Sequence, residues 1–319
     1  MLSEFELIAK YFTRPARTAA LGVGDDCALV RPPTGLVLAL TTDTLSEGTH
    51  FLPGADAHRL GYKSLAVNLS DLAAMGADPR WFLLAIALPD ADEAWLEAFA
   101  AGMFAAADAY AIELVGGDTT RGARTITITA IGTLPAGYAL RRDAAQAGDD
   151  VWLSGSTGDA ALGLAHLKGR VALAPEAAAR CIARLEQPAP RVALGQRLRG
   201  VAAAAIDVSD GLLADLGHIL ERSKVAAEID YAGLPRSADL RSCADAALAD
   251  ESLLAGGDDY ELAFTAGPEK RKAVEAAGQA AGVAVTRIGR IVAGAPEVRL
   301  LDPAGKPLHV GRRGFDHFR

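Results

Sequence analysis

Cysteine is scarce in this sequence: Cys27, Cys181 and Cys243 are the only 3 among 319 residues, widely spaced and with no C-x-x-C pair. Such usage leaves no thiolate zinc site and suits a reducing cytoplasm. Cys27, inside an Asp-rich motif, reads as a small buried residue. Basic residues are not in excess either. The chain has 32 Lys and Arg against 40 Asp and Glu, and its net charge of −8 argues against a nucleic-acid backbone as partner. No apolar run is long enough to cross a bilayer, and the opening MLSEFELIAKYF reads as the start of an amphipathic helix rather than a signal peptide. There is no G-x-x-x-x-G-K-[ST], which excludes a P-loop, and GVGDDC (22–27) lacks the third glycine of G-x-G-x-x-G. Counting from Asp207, the twelfth position is His218 rather than the Glu of an EF-hand. No repeat of solenoid period, low-complexity tract or charge block occurs.

What is there is apolar and alternating. Hydrophobic residues make up 50% of the chain, enough for substantial cores, and the length predicts two domains. GLVLALTTD (35–43) reads as a short buried strand. HRLGYKSLAVNLSDLAAMG (58–76) reads as a helix stopped by Gly76 and Pro79. WFLLAIALP (81–89) predicts a strand, DEAWLEAFAAGMFAAADAY (92–110) a long helix, and TITITAIGTLP (125–135) a strand with one covered face. The stretch 136–150 breaks the pattern as a candidate domain junction. A strand, a glycine loop and a helix follow in VWLSGSTGDAALGLAHL (151–167); the helix start reads equally as an anion site or a structural turn.

Aspartate carries the chemistry. Asp25 and Asp26 stand in GVGDDC, Asp43 in TTDTL, Asp71 in NLSDLAAMG and Asp118 in VGGDTTRG. Asp207 and Asp210 follow in IDVSDGL, and Asp258 and Asp259 in AGGDDYEL. Most follow an apolar run or a Gly-Gly pair, where a strand hands its side chain to a loop. Asp71 instead shares one helix face with Ser64 and Asn68 at i, i+4 and i+7, a polar stripe that needs polar company. Any one of these aspartates alone is commonly a cap or turn former. Together with Thr and Ser, and almost without His or Cys, they form a hard-oxygen set suited to Mg²⁺ or Mn²⁺. Mg²⁺ binds through a few carboxylates plus substrate phosphates, so the pattern predicts phosphoryl transfer from a metal-bound nucleotide.

In order along the chain, GVGDDCAL, TTDTL, GTHF, YKSLAVNLSDLAAMGADP, GGDTTRG, DVSDGL, GGDDYEL and GFDHF resemble the motifs of the thiamine-monophosphate kinase family. The resemblance runs from about residue 4 to the C-terminus. It implies an α/β (α+β) chain with the two-domain fold of aminoimidazole-ribonucleotide synthetase and selenophosphate synthetase. Residues 1–137 would form an α/β domain for metal and ATP binding and dimerisation, its sheet pairing into a β-barrel across a homodimer. Residues 148–319 would form a C-terminal α/β sandwich completing the site. The implied reaction is transfer of the ATP γ-phosphoryl group to thiamine monophosphate, the last step of thiamine diphosphate biosynthesis. Several Mg²⁺ ions, or Mn²⁺ in their place, would assist it in the cytoplasm, with no nucleic acid or membrane partner.

Position by position, the resemblance assigns metal binding to Asp26, Thr41, Thr42, Asp43, Asp71, Asp118, Asp207 and Asp210. It assigns ATP contacts to Gly117, Asp118, Arg142 and Ser209, and thiamine-phosphate contacts to His50, Asp258 and Phe315. Read without it, Arg142 is an exposed linker cation, Phe315 a core anchor and His50 a satisfied loop histidine. Asp258 stands where the family usually has Glu, one methylene longer. A phosphate-monoester oxygen is ionised near neutral pH, so no covalent or general-base residue is expected; Asp26 would bind metal while Asp25 braces the glycine turn. Two rival readings are a selenophosphate synthetase-like enzyme, against which Cys27 lacks a glycine-rich, Lys-containing loop, and a non-catalytic nucleotide-binding module.

Overall fold

Ser3 and Glu6 reciprocally cap the first helix, α1 (Glu4–Leu7), which runs on into a π-helical turn, Ile8–Phe12. The computed structural model describes residues 3–309, Gly311 and Gly314; Phe315 lies outside the described residues. The chain divides into two compact units. One comprises the residues up to Leu72 with Ala77–Gly137, the other Ala73–Gly76 with the residues from Tyr138 onward.

The first unit contains β1 (Leu36–Ser46), most of α2 (Ala57–Ala74), β2 (Asp78–Leu88), α3 (Glu93–Ala109), β3 (Glu113–Arg121) and β4 (Thr125–Pro135). Its four-stranded sheet has the order β1-β4-β2-β3. β4 is antiparallel to both of its neighbours, and β2 and β3, joined through α3, are parallel. Alternation sets the faces: Phe82, Leu84, Ile86, Ile126 and Ile128 are buried, as are Leu65, Leu69 and Leu72 of α2. The helices α2 and α3 cross at near-backbone contact. A Cβ on Gly61 would lie 2.0 Å from the Phe99 carbonyl oxygen, and one on Gly102 would lie 1.7 Å from that of His58.

Two expectations need correction here. The strand over 35–43 is longer, Leu36–Ser46, and it is a half-open edge rather than a buried strand, with Leu40 64% exposed. Cys27 is exposed, not buried. β3 was not foreseen, because its run of glycine, aspartate and threonine carries no strand periodicity.

The second unit begins with β5 (Asp150–Ser154), α4 (Asp159–Leu167), α5 (Pro175–Glu186), α6 (Val192–Arg197) and β6 (Ala204–Val208). It continues with α7 (Leu212–Ser223), β7 (Ala226–Asp230), α8 (Ala238–Ser242), α9 (Ala246–Ala255) and β8 (Glu261–Ala266). Last come α10 (Arg271–Ala281), β9 (Val285–Val292) and β10 (Val298–Leu301). The six strands have the order β10-β7-β9-β5-β8-β6. β5, β6 and β8 are buried along their whole length, including the polar residues Asp150, Ser154, Asp207, Glu261 and Thr265 that interrupt their apolar runs. Leu153, Ile206, Leu216, Ile219 and Leu253 belong to the core of this unit. Neither sheet closes into a barrel among the described residues of the chain. Among the described residues no helix is long and apolar enough to cross a membrane.

Candidate active site

In the first unit the polar stripe of α2 meets the inward side of β1. The Thr41 hydroxyl donates to Asp71 Oδ2, and the Asp43 N–H donates to Asn68 Oδ1 at 3.2 Å. Asn68 is itself buried and anchored by donating to the Ser64 carbonyl at 3.1 Å. Thr41, Asp43 and Asp71 are thereby brought together. Thr42, one step along the strand, turns the other way, where its hydroxyl pairs with that of Thr129 at 2.8 Å; Thr44 pairs with Thr127 in the same manner at 2.9 Å.

A cavity of about 890 Å³ opens on the outer face of this sheet, and Asp25, Asp26, Gly117, Asp118, Thr127 and Thr129 are among its walls. Gly117 has φ +153, and a Cβ there would lie 1.8 Å from the Leu84 carbonyl oxygen, so only glycine lets β3 come this close to β2. Asp118 follows it, exposed. Asp25 Oδ1 accepts the Asp26 N–H at 2.9 Å, and both side chains are exposed. His50 folds back on the end of β1. Its Nδ1 accepts the Ser46 N–H at 3.0 Å, which puts the proton of the neutral ring on Nε2.

In the second unit, Asp207 is buried near the end of β6 and Asp210 lies in the turn beyond it. Asp215, in the first turn of α7, accepts the N–H groups of Ser209, Asp210 and Gly211 on one oxygen, at 3.0, 3.0 and 3.1 Å. Burial, together with the nearby Asp210 charge, pushes the Asp215 carboxyl up to about 7, and the three N–H groups work the other way. The segment preceding β8 packs beside this turn. The Asp258 N–H donates to the Ser209 carbonyl and the Tyr260 N–H to the Val208 carbonyl, each at 2.8 Å. Ser209 and Asp258 are thus neighbours. Arg142 is not with them: it is exposed, and Arg141 beside it bridges to Ala204 at the far end of β6, about 16 Å along the strand at ordinary rise per residue.

The alternate residues of GGDDYEL point inward. Both Asp259 oxygens accept the Gly158 N–H, at 2.9 and 3.0 Å, and burial raises this carboxyl well above its usual range. Glu261, fully buried, takes Arg191 at 2.5 and 2.6 Å, Arg184 at 2.8 Å and the Ser154 hydroxyl at 2.6 Å. These two carboxylates hold the loop after β5 in place. Neither they nor Asp215 were singled out from the sequence as framework residues. The one available signal was an Asp in the first turn of the apolar helix that follows DVSDG.

The donors fit Mg²⁺ by type: they are carboxylates and hydroxyls, hard oxygens throughout. Among the described residues no group of three His, Cys, Asp or Glu forms a ready-made cage, and Mg²⁺ needs none when substrate phosphates and water complete its shell.

Comparison with known proteins decides the family. Thiamine-monophosphate kinase from Salmonella typhimurium is 46% identical over 320 residues, covering 99% of this chain and 98% of that protein. The chain belongs to the thiamine-monophosphate kinase family. Residues 24–134 match AIR synthase related protein, N-terminal domain, and residues 146–301 match AIR synthase related protein, C-terminal domain. The crystal structure of thiamine-monophosphate kinase from Stenotrophomonas maltophilia K279a superposes with a TM-score of 0.85 at 47% identity, covering 95% of each chain. AaThiL complexed with AMPPCP and TMP superposes at 0.79 with 32% identity, covering 98% of this chain and 96% of that one. The family therefore has a member captured with an ATP analogue and TMP together.

Proposed function

We propose that this chain transfers the γ-phosphoryl group of ATP to thiamine monophosphate, giving thiamine diphosphate and ADP. The observation that carries the reading is 46% identity over nearly the full length to a thiamine-monophosphate kinase. The motif aspartates of the first unit lie mostly within β1, α2 and β3, not at strand ends as expected, and those of the second lie near the end of β6 and in the turn beyond it. A phosphate oxygen of thiamine monophosphate attacks the γ-phosphorus in line. The bond from that phosphorus to the β–γ bridging oxygen breaks, and ADP leaves with the electron pair. The acceptor oxygen is already ionised, so the protein has no proton to remove, and its work is positioning and charge compensation. Bound Mg²⁺ would supply neutralisation of the phosphate charges.

Asp26, Thr41, Thr42, Asp43, Asp71 and Asp118 from the first unit, and Asp207 and Asp210 from the second, are the proposed metal-binding residues. Thr42 serves by its main chain, since its hydroxyl is committed to Thr129. Gly117, Asp118 and Ser209 contact ATP, as does Arg142, which stands by the opposite end of β6 from Ser209 and would reach a different part of the nucleotide. His50, as an Nε2–H donor, and Asp258 contact thiamine monophosphate, with Phe315 as a further contact. The first unit acts in metal and ATP binding and in dimerisation, the second in completing the site. The exposed edge of β1, with Val37, Leu38 and Leu40, supports pairing of two sheets into a barrel across a homodimer. Free thiols throughout support a cytoplasmic enzyme.

The test is ADP release measured with and without thiamine monophosphate. Release that depends on both substrates and on Mg²⁺ is expected. Equal release without thiamine monophosphate, or none with both substrates present, would refute the reading.

A further inference from the structure

Three successive N–H groups at a helix start are the arrangement that elsewhere cradles a phosphate. Here the N–H groups of Ser209, Asp210 and Gly211 all point at Asp215 Oδ2, at 3.0, 3.0 and 3.1 Å. Asp215 is 3% exposed, so its carboxylate is a built-in part of the turn. The α7 N-cap residue, Gly211, makes no side-chain cap hydrogen bond and has φ +126, so Asp215 supplies the side-chain acceptor for the N–H groups of this turn. On its other side the turn is clamped by the Asp258 and Tyr260 N–H groups, which donate to Ser209 and Val208.

We propose that Asp215 is a positioning residue: it fills the anion cradle of the 209–211 turn and holds the turn so that the Asp210 side chain is presented to a divalent cation. The proposal rests on the reading of Asp207 and Asp210 as metal ligands. Its consequence is that the backbone amides of this turn are taken up by Asp215, so Asp210 meets a phosphorylated substrate through a cation and Ser209 has only its side chain and carbonyl group left for ATP. Loss of a ligand-orienting partner typically costs about 10- to 100-fold in metal affinity or activity.

The test uses the full chain in two states. In the metal-free protein, amide hydrogen exchange reports the turn directly: Asp215→Ala should speed exchange at residues 209–211, and Asp215→Asn, which keeps one acceptor oxygen, should do so less. With substrates present, the Mg²⁺ concentration for half-maximal ADP release should rise by about 10-fold in Asp215→Ala, with a smaller rise in Asp215→Asn. If the alanine variant does not fold, the asparagine variant carries both readouts. Unchanged exchange at 209–211, or faster exchange with an unchanged Mg²⁺ requirement, would overturn the proposal. Asp210→Asn is measured alongside. If it leaves the Mg²⁺ requirement at the parental value, the ligand reading falls and the proposal with it, whereas a changed requirement there with none in Asp215→Ala sinks the proposal alone.

Discussion

Asp258 and Tyr260 both adopt left-handed backbone angles, φ +66 and +51, on either side of the buried Asp259. Left-handed residues that are not glycine concentrate at functional sites because surrounding contacts must hold them there. Here the hold is visible in the Asp258 and Tyr260 N–H bonds to the β6 turn and in the Tyr260 hydroxyl, which donates to Asp258 Oδ1 at 3.1 Å. That hydroxyl steadies a carboxylate one methylene shorter than the family's usual Glu. Replacing Asp258 therefore separates substrate contact from backbone conformation. Asp258→Gly and Asp258→Ala should each weaken thiamine-monophosphate binding by about 1–3 kcal/mol. Only alanine should also cost fold stability, about 1 kcal/mol relative to glycine, because it resists the left-handed region. Calorimetric titration and denaturant midpoints on both variants check this; unchanged affinity in the glycine variant would remove Asp258 from the substrate site. At this scale the sequence exposes the acidic motifs but not the division of labour within them. Asp258 and Asp259 look alike on paper, and it is the path of the segment before β8, tied to the β6 turn through the Asp258 and Tyr260 N–H groups, that buries the second against Gly158.

Among the elements, those with a strong period were legible. α2, α3 and β4 fall within a residue or two of their expected ends, since each pairs a clean apolar repeat with glycine, proline or an Asp92 cap. β3 was hidden because its strand character comes from pairing with β2 across a register shift and not from its own residues. β1 was misjudged in burial, because an apolar strand reads the same whether a core or a partner covers it. β5 offers an electrostatic test. Its first residue, Asp150, is bound by Arg271 at 2.6 and 2.9 Å and by Arg287 at 3.3 Å. The hydrogen bonds from Arg271 hold its carboxyl below the usual range despite burial. A depressed pKa in the folded state gives stability that is present above the unfolded value and lost as pH falls through the folded one. Both arginines are about half exposed, so the contribution is screened to about 1 kcal/mol. Asp150→Asn should be less stable than the parent at neutral pH, and the gap should close below about pH 4. A gap that persists at low pH would mean that packing, and not charge, sets the effect.

For the molecule as a whole, the question is what covers β1. Val37, Leu38 and Leu40 are 44, 40 and 64% exposed on the open edge of the first sheet, and a bare apolar edge is a surface that native proteins rarely leave uncovered. If a second copy covers it, Leu40→Glu should convert a dimer into a monomer in light scattering at micromolar concentration. A parent that is already monomeric under those conditions would count against the barrel.

The same strand also sets a schedule. Among the described residues the one strand that pairs with β1 is β4, Ser46 opposite Thr125 and Leu36 opposite Pro135. On a ribosome adding about 5–20 residues per second, this strand partner is therefore made about 4–20 s after it, whereas Asn68 and Asp71 of α2, which accept from Asp43 and Thr41, follow sooner. Until residue 135 has been made, the largely apolar segment 36–46 has no strand of its sheet to pair with, the condition under which an unpaired edge is most open to another chain.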